Sequence, residues 1–289
     1  MRFVHVFITI VFVLSAAFTL YVKVSDDRDY NAPALTCDED LLELSVYDDT
    51  DVLLAHVSAS DEKDGDLTSS VIVETISPFV EGSRAKATFA VCDSDNNVSK
   101  LVKDIAYSDY SAPEFSMSSQ LRYYVGATKV DLMSAVGAYD VLEGDITSRI
   151  VVSSSDVDLT HEGAYPVTYK VTTSMGTVVT LTINAYVYET RFPQTISLSQ
   201  YLVYTDVGET LNAEDYIESY PEEMLVDGYS GTYVYSLEIT DDVDYSVPGV
   251  YYICYRIKGV TEDPDTDEEY RETVAAESYL AVVVREGDA

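Results

Sequence analysis

Two short boxes gather the side chains best suited to chemistry: Asp61, Asp64 and Asp66 around Gly65, and Asp140, Glu143 and Asp145 around Gly144. Clustered carboxylates beside a glycine turn are the raw material of a hard-cation site, because Ca2+ takes roughly six to eight oxygen ligands. The same residues also suit a purely structural role, in which glycine makes the turn and the Asp side chains cap nearby backbone amides. Spacing alone leaves both readings open, so calcium is carried forward as the one candidate cofactor. A third acidic run, Asp263, Asp265, Asp267 and Glu269, alternates like a calcium loop but lacks the glycine and the distant Glu that shape one.

Catalytic chemistry finds little material. The three histidines are His5, His56 and His161, and no nucleophile elbow, phosphate-binding glycine loop or His-rich metal motif is present. Among 51 acidic residues, carboxylate pairs arise by chance and point to no particular cleft. An enzyme is not expected, nor a small-molecule substrate. Cys37, Cys92 and Cys254 are an odd set, so at most one internal bridge can form, and Cys37 with Cys92 is the candidate because both fall in the first repeat. Strand parity opposes that pairing: Cys37 shares a face with Leu35, whereas Cys92 lies opposite Phe89 and Val91. Cys254 is expected to be a lone, partly exposed thiol.

The elements that position these residues repeat. Asp64-Gly65-Asp66-Leu67-Thr68-Ser69 recurs as Glu143-Gly144-Asp145-Ile146-Thr147-Ser148, and a fixed period marks a chain built by copying one folding unit. The lead-in Asn31-Ala32-Pro33 recurs as Ser111-Ala112-Pro113 and, one step on, as Arg191-Phe192-Pro193. The strand Ala87-Thr88-Phe89-Ala90-Val91 has counterparts in Val167-Thr168-Tyr169-Lys170-Val171 and Ile253-Cys254-Tyr255-Arg256-Ile257. The third unit keeps this strand but lacks the acidic box.

Within the units the hydrophobic period is two. Val179, Leu181, Ile183, Ala185 and Val187 fall on one face and Thr180, Thr182, Asn184, Tyr186 and Tyr188 on the other, the apolar-in, polar-out pattern of a sandwich sheet. Units of about eighty residues with several short strands have the size of small β-sandwiches. The predicted class is all-β, with units over 31–109, 110–190 and 191–289 strung as a rod behind a membrane segment at 1–24 and a stalk at 25–30.

Units one and two resemble bacterial Ig-like repeats, which open on a Pro-led strand, carry a D-G-D-[IL]-T turn and continue through G-x-Y-x-V-x-Y-x-V. Unit two matches through Pro113, Gly144-Asp145-Ile146-Thr147 and Gly163 to Val171; unit one departs at Ser83-Arg84-Ala85, and unit three matches weakly. The resemblance covers most of residues 31–190 and implies a surface-displayed spacer or adhesion module. The divergent third unit is expected to add a third Ig-like domain that serves as the binding unit, with a carbohydrate-binding accessory module or a calcium-stiffened homophilic rod as the alternatives.

Phe3 to Val22 is an almost unbroken apolar run with Arg2 ahead of it. Its length suits a bilayer span of about 20 residues, and the leading positive charge favours a cytoplasmic N-terminus with the remainder outside the cell. The alternative is a signal peptide cleaved near Ser15-Ala16-Ala17, giving a secreted product. The net charge of −34 argues against nucleic acid as a partner, since that binding needs Lys and Arg against phosphate. It suits a solvated, self-repelling surface. Partners expected instead are the membrane, through residues 3–22, and a cell-surface protein or glycan. Tyrosine, in excess at 25 residues, crowds the third unit. Tyr251 and Tyr255 share the face of Ile253 and Ile257 and should be buried, whereas Tyr229, Tyr233 and Tyr235 in a Gly-flanked segment are the candidate ligand contacts.

Overall fold

The computed structural model describes residues 2–25, 29–189, 191–192, 194–221, 223–225, 232–260 and 272–287. The chain divides into two compact units, Met1–Tyr110 and Ser111–Ala289. The first begins with helix α1, Arg2–Ser25, where no glycine or proline interrupts the apolar run and Thr19 returns its hydroxyl to the Ser15 carbonyl at 2.8 Å. The side chains described in α1 are those of residues 7–22, all of them exposed. Among the described residues no helix is long and apolar enough to cross a membrane, so the expected transmembrane helix is not supported by them.

Everything after α1 is mostly β, with short 3-10 turns. The first repeat holds β1 (Ala34–Cys37), β2 (Leu41–Leu44), β3 (Val57–Asp61), β4 (Gly65–Asp66), β5 (Ile72–Ile76), β6 (Arg84–Cys92) and β7 (Val98–Tyr107). They form one sheet in the order β1-β3-β4 and another in the order β2-β7-β6-β5. The second repeat has β8 (Glu114–Met117), β9 (Arg122–Tyr124), β10 (Val136–Asp140), β11 (Gly144–Asp145), β12 (Val151–Ser155), β13 (Gly163–Thr172) and β14 (Val178–Tyr188), arranged as β11-β10-β8 and β12-β13-β14-β9. The third has β15 (Ser197–Leu198), β16 (Leu202–Asp206), β17 (Ile217–Ser219), β18 (Glu223–Leu225), β19 (Thr232–Asp241), β20 (Gly249–Val260) and β21 (Glu272–Arg285), paired as β15-β17 and β16-β21-β20-β19-β18.

One device recurs in all three. The leading strand splits: its first half pairs antiparallel in the small sheet (β1 with β3, β8 with β10, β15 with β17), and its second half crosses to pair parallel with the last strand (β2 with β7, β9 with β14, β16 with β21). Repeats one and two also share a bulge at the same place, between Val73 and Thr75 and between Val152 and Ser154. The third repeat therefore follows the plan of the others although its sequence matches weakly.

The alternation of period two places the cores between the paired sheets. Phe89, Tyr169 and Tyr255, at equivalent places on β6, β13 and β20, are fully buried. The two tyrosines would bury an unpaired hydroxyl, and each donates it to a backbone carbonyl, Tyr169 to Leu132 at 2.5 Å and Tyr255 to Ala213 at 2.7 Å. Val167, Tyr169, Val171, Leu181 and Ile183 meet Phe115, Val136 and Ala138 of the facing sheet in one cluster. Leu202 and Ala281 of the third repeat join that same cluster, which is why repeats two and three make one compact unit instead of two separate sandwiches.

Candidate functional site

In both acidic boxes the glycine takes a left-handed conformation, φ +75° at Gly65 and at Gly144, which a side chain would disfavour. The preceding acid closes the turn. Asp61 Oδ1 accepts the amides of Lys63 and Asp64 at 2.8 and 3.0 Å, and Asp140 Oδ1 accepts those of Leu142 and Glu143 at 2.9 and 3.0 Å. The following acid caps a single 3-10 turn: Asp66 accepts the Thr68 amide and Asp145 the Thr147 amide, both at 2.9 Å. The threonine hydroxyls hold both Asp66 and Asp145 below the usual carboxylate range.

The central acid of each box reaches across to the hairpin between the two long strands. Asp64 takes the Ser94 amide and hydroxyl at 2.9 and 2.8 Å. Glu143 takes the Ser174 amide at 2.6 Å and pairs with Arg149 at 2.5 Å. Burial works against the Glu143 charge, but the bonds from Arg149 and Ser174 outweigh it and its pKa falls. Each box is thus a hydrogen-bonded latch between turn and hairpin. The six acids of the two boxes spend their oxygens on ten separate donors, and among the described residues the side chains whose ligating atoms converge are Asp38, Glu39 and His56. Asp263, Asp265, Asp267 and Glu269 lie outside the described residues.

The cysteines are free. Cys37 ends β1 in the small sheet opposite Val57, whereas Cys92 ends β6 in the large sheet opposite Val98. The Cys37–Cys92 bridge is not formed: Cys92 is exposed at the end of β6, facing away from the core that buries Phe89 and Val91, and the two thiols bond locally, to the Glu39 and Asp93 carbonyls at 3.4 and 3.5 Å. Cys254 is half-buried, and burial raises its thiol pKa.

The tyrosines cluster where repeats two and three meet. On β14 the alternation holds to Ala185 and then fails, because Tyr186 and Tyr188 on the supposedly solvent face are both buried. The face of β20 and β21 carrying Tyr252, Arg256, Glu277 and Tyr279 covers them. Tyr186 stacks on Tyr279 with centroids 4.1 Å apart, and Tyr252 meets Tyr186 edge-on at 6.3 Å. Hydroxyls bridge the seam: the Asn184 amide donates to Tyr252 and the Phe115 amide to Tyr204, both at 2.8 Å. Burial pushes both phenols up to about 12.

At the centre of the seam stands Glu277, 9% exposed. Its Oε2 accepts Arg256 Nε and Nη2 at 2.9 and 2.6 Å, and its Oε1 accepts the hydroxyls of Tyr279 and Tyr188 at 2.9 and 3.2 Å. The bond to Glu277 raises the Arg256 pKa. Arg122 donates to the Glu277 carbonyl and lies 5.6 Å from the Tyr188 ring centre. The cleft left between Met117, Gln120, Tyr186 and Tyr252 has room for about one water, roughly 10 Å3. Of the three tyrosines expected to face a ligand, Tyr235 packs against the core of the third repeat, Tyr233 lies on β19 with its side chain outside the description, and Tyr229 lies outside the described residues. As expected, Tyr255 is fully buried; Tyr251 is partly buried against the same core.

No family model matches the chain. A stretch of 125 residues is 31% identical to the pesticidal crystal protein Cry22Aa of Bacillus thuringiensis, covering 42% of this chain and 17% of that protein. The chain thus spans less than a fifth of the curated relative it matches, over a length exceeding one repeat. Among solved structures, the M60 catalytic domain with the CBM51-1 and CBM51-2 domains of Clostridium perfringens ZmpB is 14% identical, with 89% of this chain and 44% of that one covered and a TM-score of 0.27. The extracellular domain of protocadherin GammaB4 is 11% identical, with 89% and 50% covered and a TM-score of 0.21. Scores this low carry no argument about function, and the architecture rests on the sheets described above.

Proposed function

We propose that the chain is a non-catalytic display protein of the cell exterior, whose Ig-like repeats present a binding surface to a cell-surface protein or glycan. The observation that carries this reading is where the reactive side chains are spent. The box carboxylates latch turns to hairpins, and the buried tyrosines and Glu277 join repeat to repeat. The split leading strand, present three times, supports reading each unit as Ig-like. The acidic surface suits display in an aqueous exterior, and the leading apolar run is compatible with an export leader.

The experiment is retention of the purified chain on a glycan array and on intact cells. Retention on cells that survives removal of surface glycans makes the partner a protein. Retention abolished by that removal, with binding on the array, makes it a carbohydrate-binding module. Retention on neither surface overturns the binding function and leaves a spacer.

A further inference from the structure

One set of ligating side chains takes no part in the latches or the seam. Strand β1 ends at Cys37 opposite Val57, and just beyond it the Asp38 amide donates to the His56 carbonyl at 3.4 Å. Backbone pairing therefore fixes Asp38 and Glu39 beside His56, the last residue of the 3-10 helix Thr50–His56. The Glu39 carbonyl is held in turn by Lys103 Nζ at 2.6 Å.

His56 Nδ1 stands 3.7 Å from Asp38 Oδ1 and 3.4 Å from Glu39 Oε1, and one ligand atom from each of the three lies within 4.8 Å of the others. These gaps exceed the roughly 2.7–3.2 Å of an N–H···O hydrogen bond. His161 shows the contrast, with Nδ1 at a bonding 2.9 Å from Asp158 Oδ2. Two metal–ligand bonds of about 2.0–2.2 Å at a tetrahedral angle hold their donor atoms roughly 3.3–3.6 Å apart. The spacing around His56 is close to that edge length. A donor set of one imidazole and two carboxylates suits zinc and its first-row neighbours, whereas Ca2+ asks for more oxygens at longer distances.

We infer that Asp38, Glu39 and His56 form a surface site for one divalent transition ion of the zinc type. The side chains are 74%, 50% and 36% exposed, so the ion keeps open positions for water or for a ligand atom of a binding partner. The neighbouring Lys103 spends its ammonium on the Glu39 carbonyl at 2.6 Å and on Asp40 at 3.7 Å.

The test is titration of the metal-free full chain with Co2+ in a large excess of Mg2+, which fills sites built of carboxylates alone. The expected result is one equivalent of Co2+ with a four- or five-coordinate ligand-field spectrum, displaced by Zn2+. His56→Ala should weaken binding by at least about tenfold, and the isosteric Asp38→Asn should weaken it with circular dichroism unchanged. His161→Ala should leave it intact. Absence of a saturable spectrum, or equal binding by the His56→Ala and Asp38→Asn variants, overturns the site.

Discussion

The rings of Tyr186 and Tyr279 lie face to face, 4.1 Å between centroids and 5° from parallel. One belongs to β14 of the second repeat and the other to β21 of the third. Their contact turns an outward face of one sandwich into an inward one, and the rest of the seam assembles around it.

Tyr279→Ala should therefore destabilise the 111–289 unit by about 3 kcal/mol, the low end for losing a large aromatic from a packed site. Chemical denaturation of the full chain reads it, with the transition of the 1–110 unit keeping its midpoint. A loss under about 1 kcal/mol would mean the seam is held elsewhere.

Glu277 is the polar keystone of that seam. Glu277→Ala leaves Arg256 and two phenol hydroxyls without their acceptor and should cost about 3 kcal/mol. Replacing Glu277 and Arg256 together by leucine should recover much of the loss, because the two desolvation costs disappear as a pair. A double-mutant cycle by equilibrium unfolding measures the coupling.

The phenols at the seam set an alkaline limit. Tyr204 and Tyr252 are raised from 10 to about 12 by burial, so between those values the unfolded chain loses protons that the folded chain keeps. Their contribution to stability is complete below pH 10 and is lost as pH rises through about 12. Phenolate absorbance should show these seam phenols appearing only with loss of the circular dichroism signal. A single smooth titration with the fold intact would contradict the assignment of these phenols to the seam.

Calcium against chelator should leave both unfolding transitions where they are. In each box the carboxylate oxygens already satisfy backbone amides, and a cation would have to displace those bonds. Thermal unfolding with excess Ca2+ checks this, and a rise of several degrees would show that the latches open to bind it.

Much of the architecture was legible in the sequence for a physical reason. The period-two alternation and the duplicated box are local signals, and they located β13, β14 and both turns by residue. The third repeat's plan was harder to read, since it lacks the box and keeps only the Tyr255 strand. What the alternation rule hid was the seam. It assigned Tyr186 and Tyr188 to solvent, although two large aromatics at successive outward positions were themselves a sign of cover. Tyr235 lies partly buried against the core of the third repeat; a Gly-flanked segment does not reveal which face of β19 meets the core. Strand parity, which opposed the Cys37–Cys92 pairing, was a better guide than membership of one repeat: Cys92 is exposed and turned away from the core. The His56 cluster left no motif at all: Asp38 and Glu39 precede His56 by eighteen and seventeen positions and meet it only through strand pairing.

The split leading strand has a mechanical meaning. In every repeat the second half of the leading strand and the strand nearest the end run parallel and side by side, joined over four register positions in β2–β7, three in β9–β14 and five in β16–β21. A pull applied to the two ends of a repeat then loads those bonds in shear, all together, where an antiparallel hairpin would unzip one bond at a time. The second repeat has the shortest such clamp, and it is also the one braced from outside by Tyr279 and Glu277. The repeat with the fewest such bonds is thus the one that is reinforced from outside.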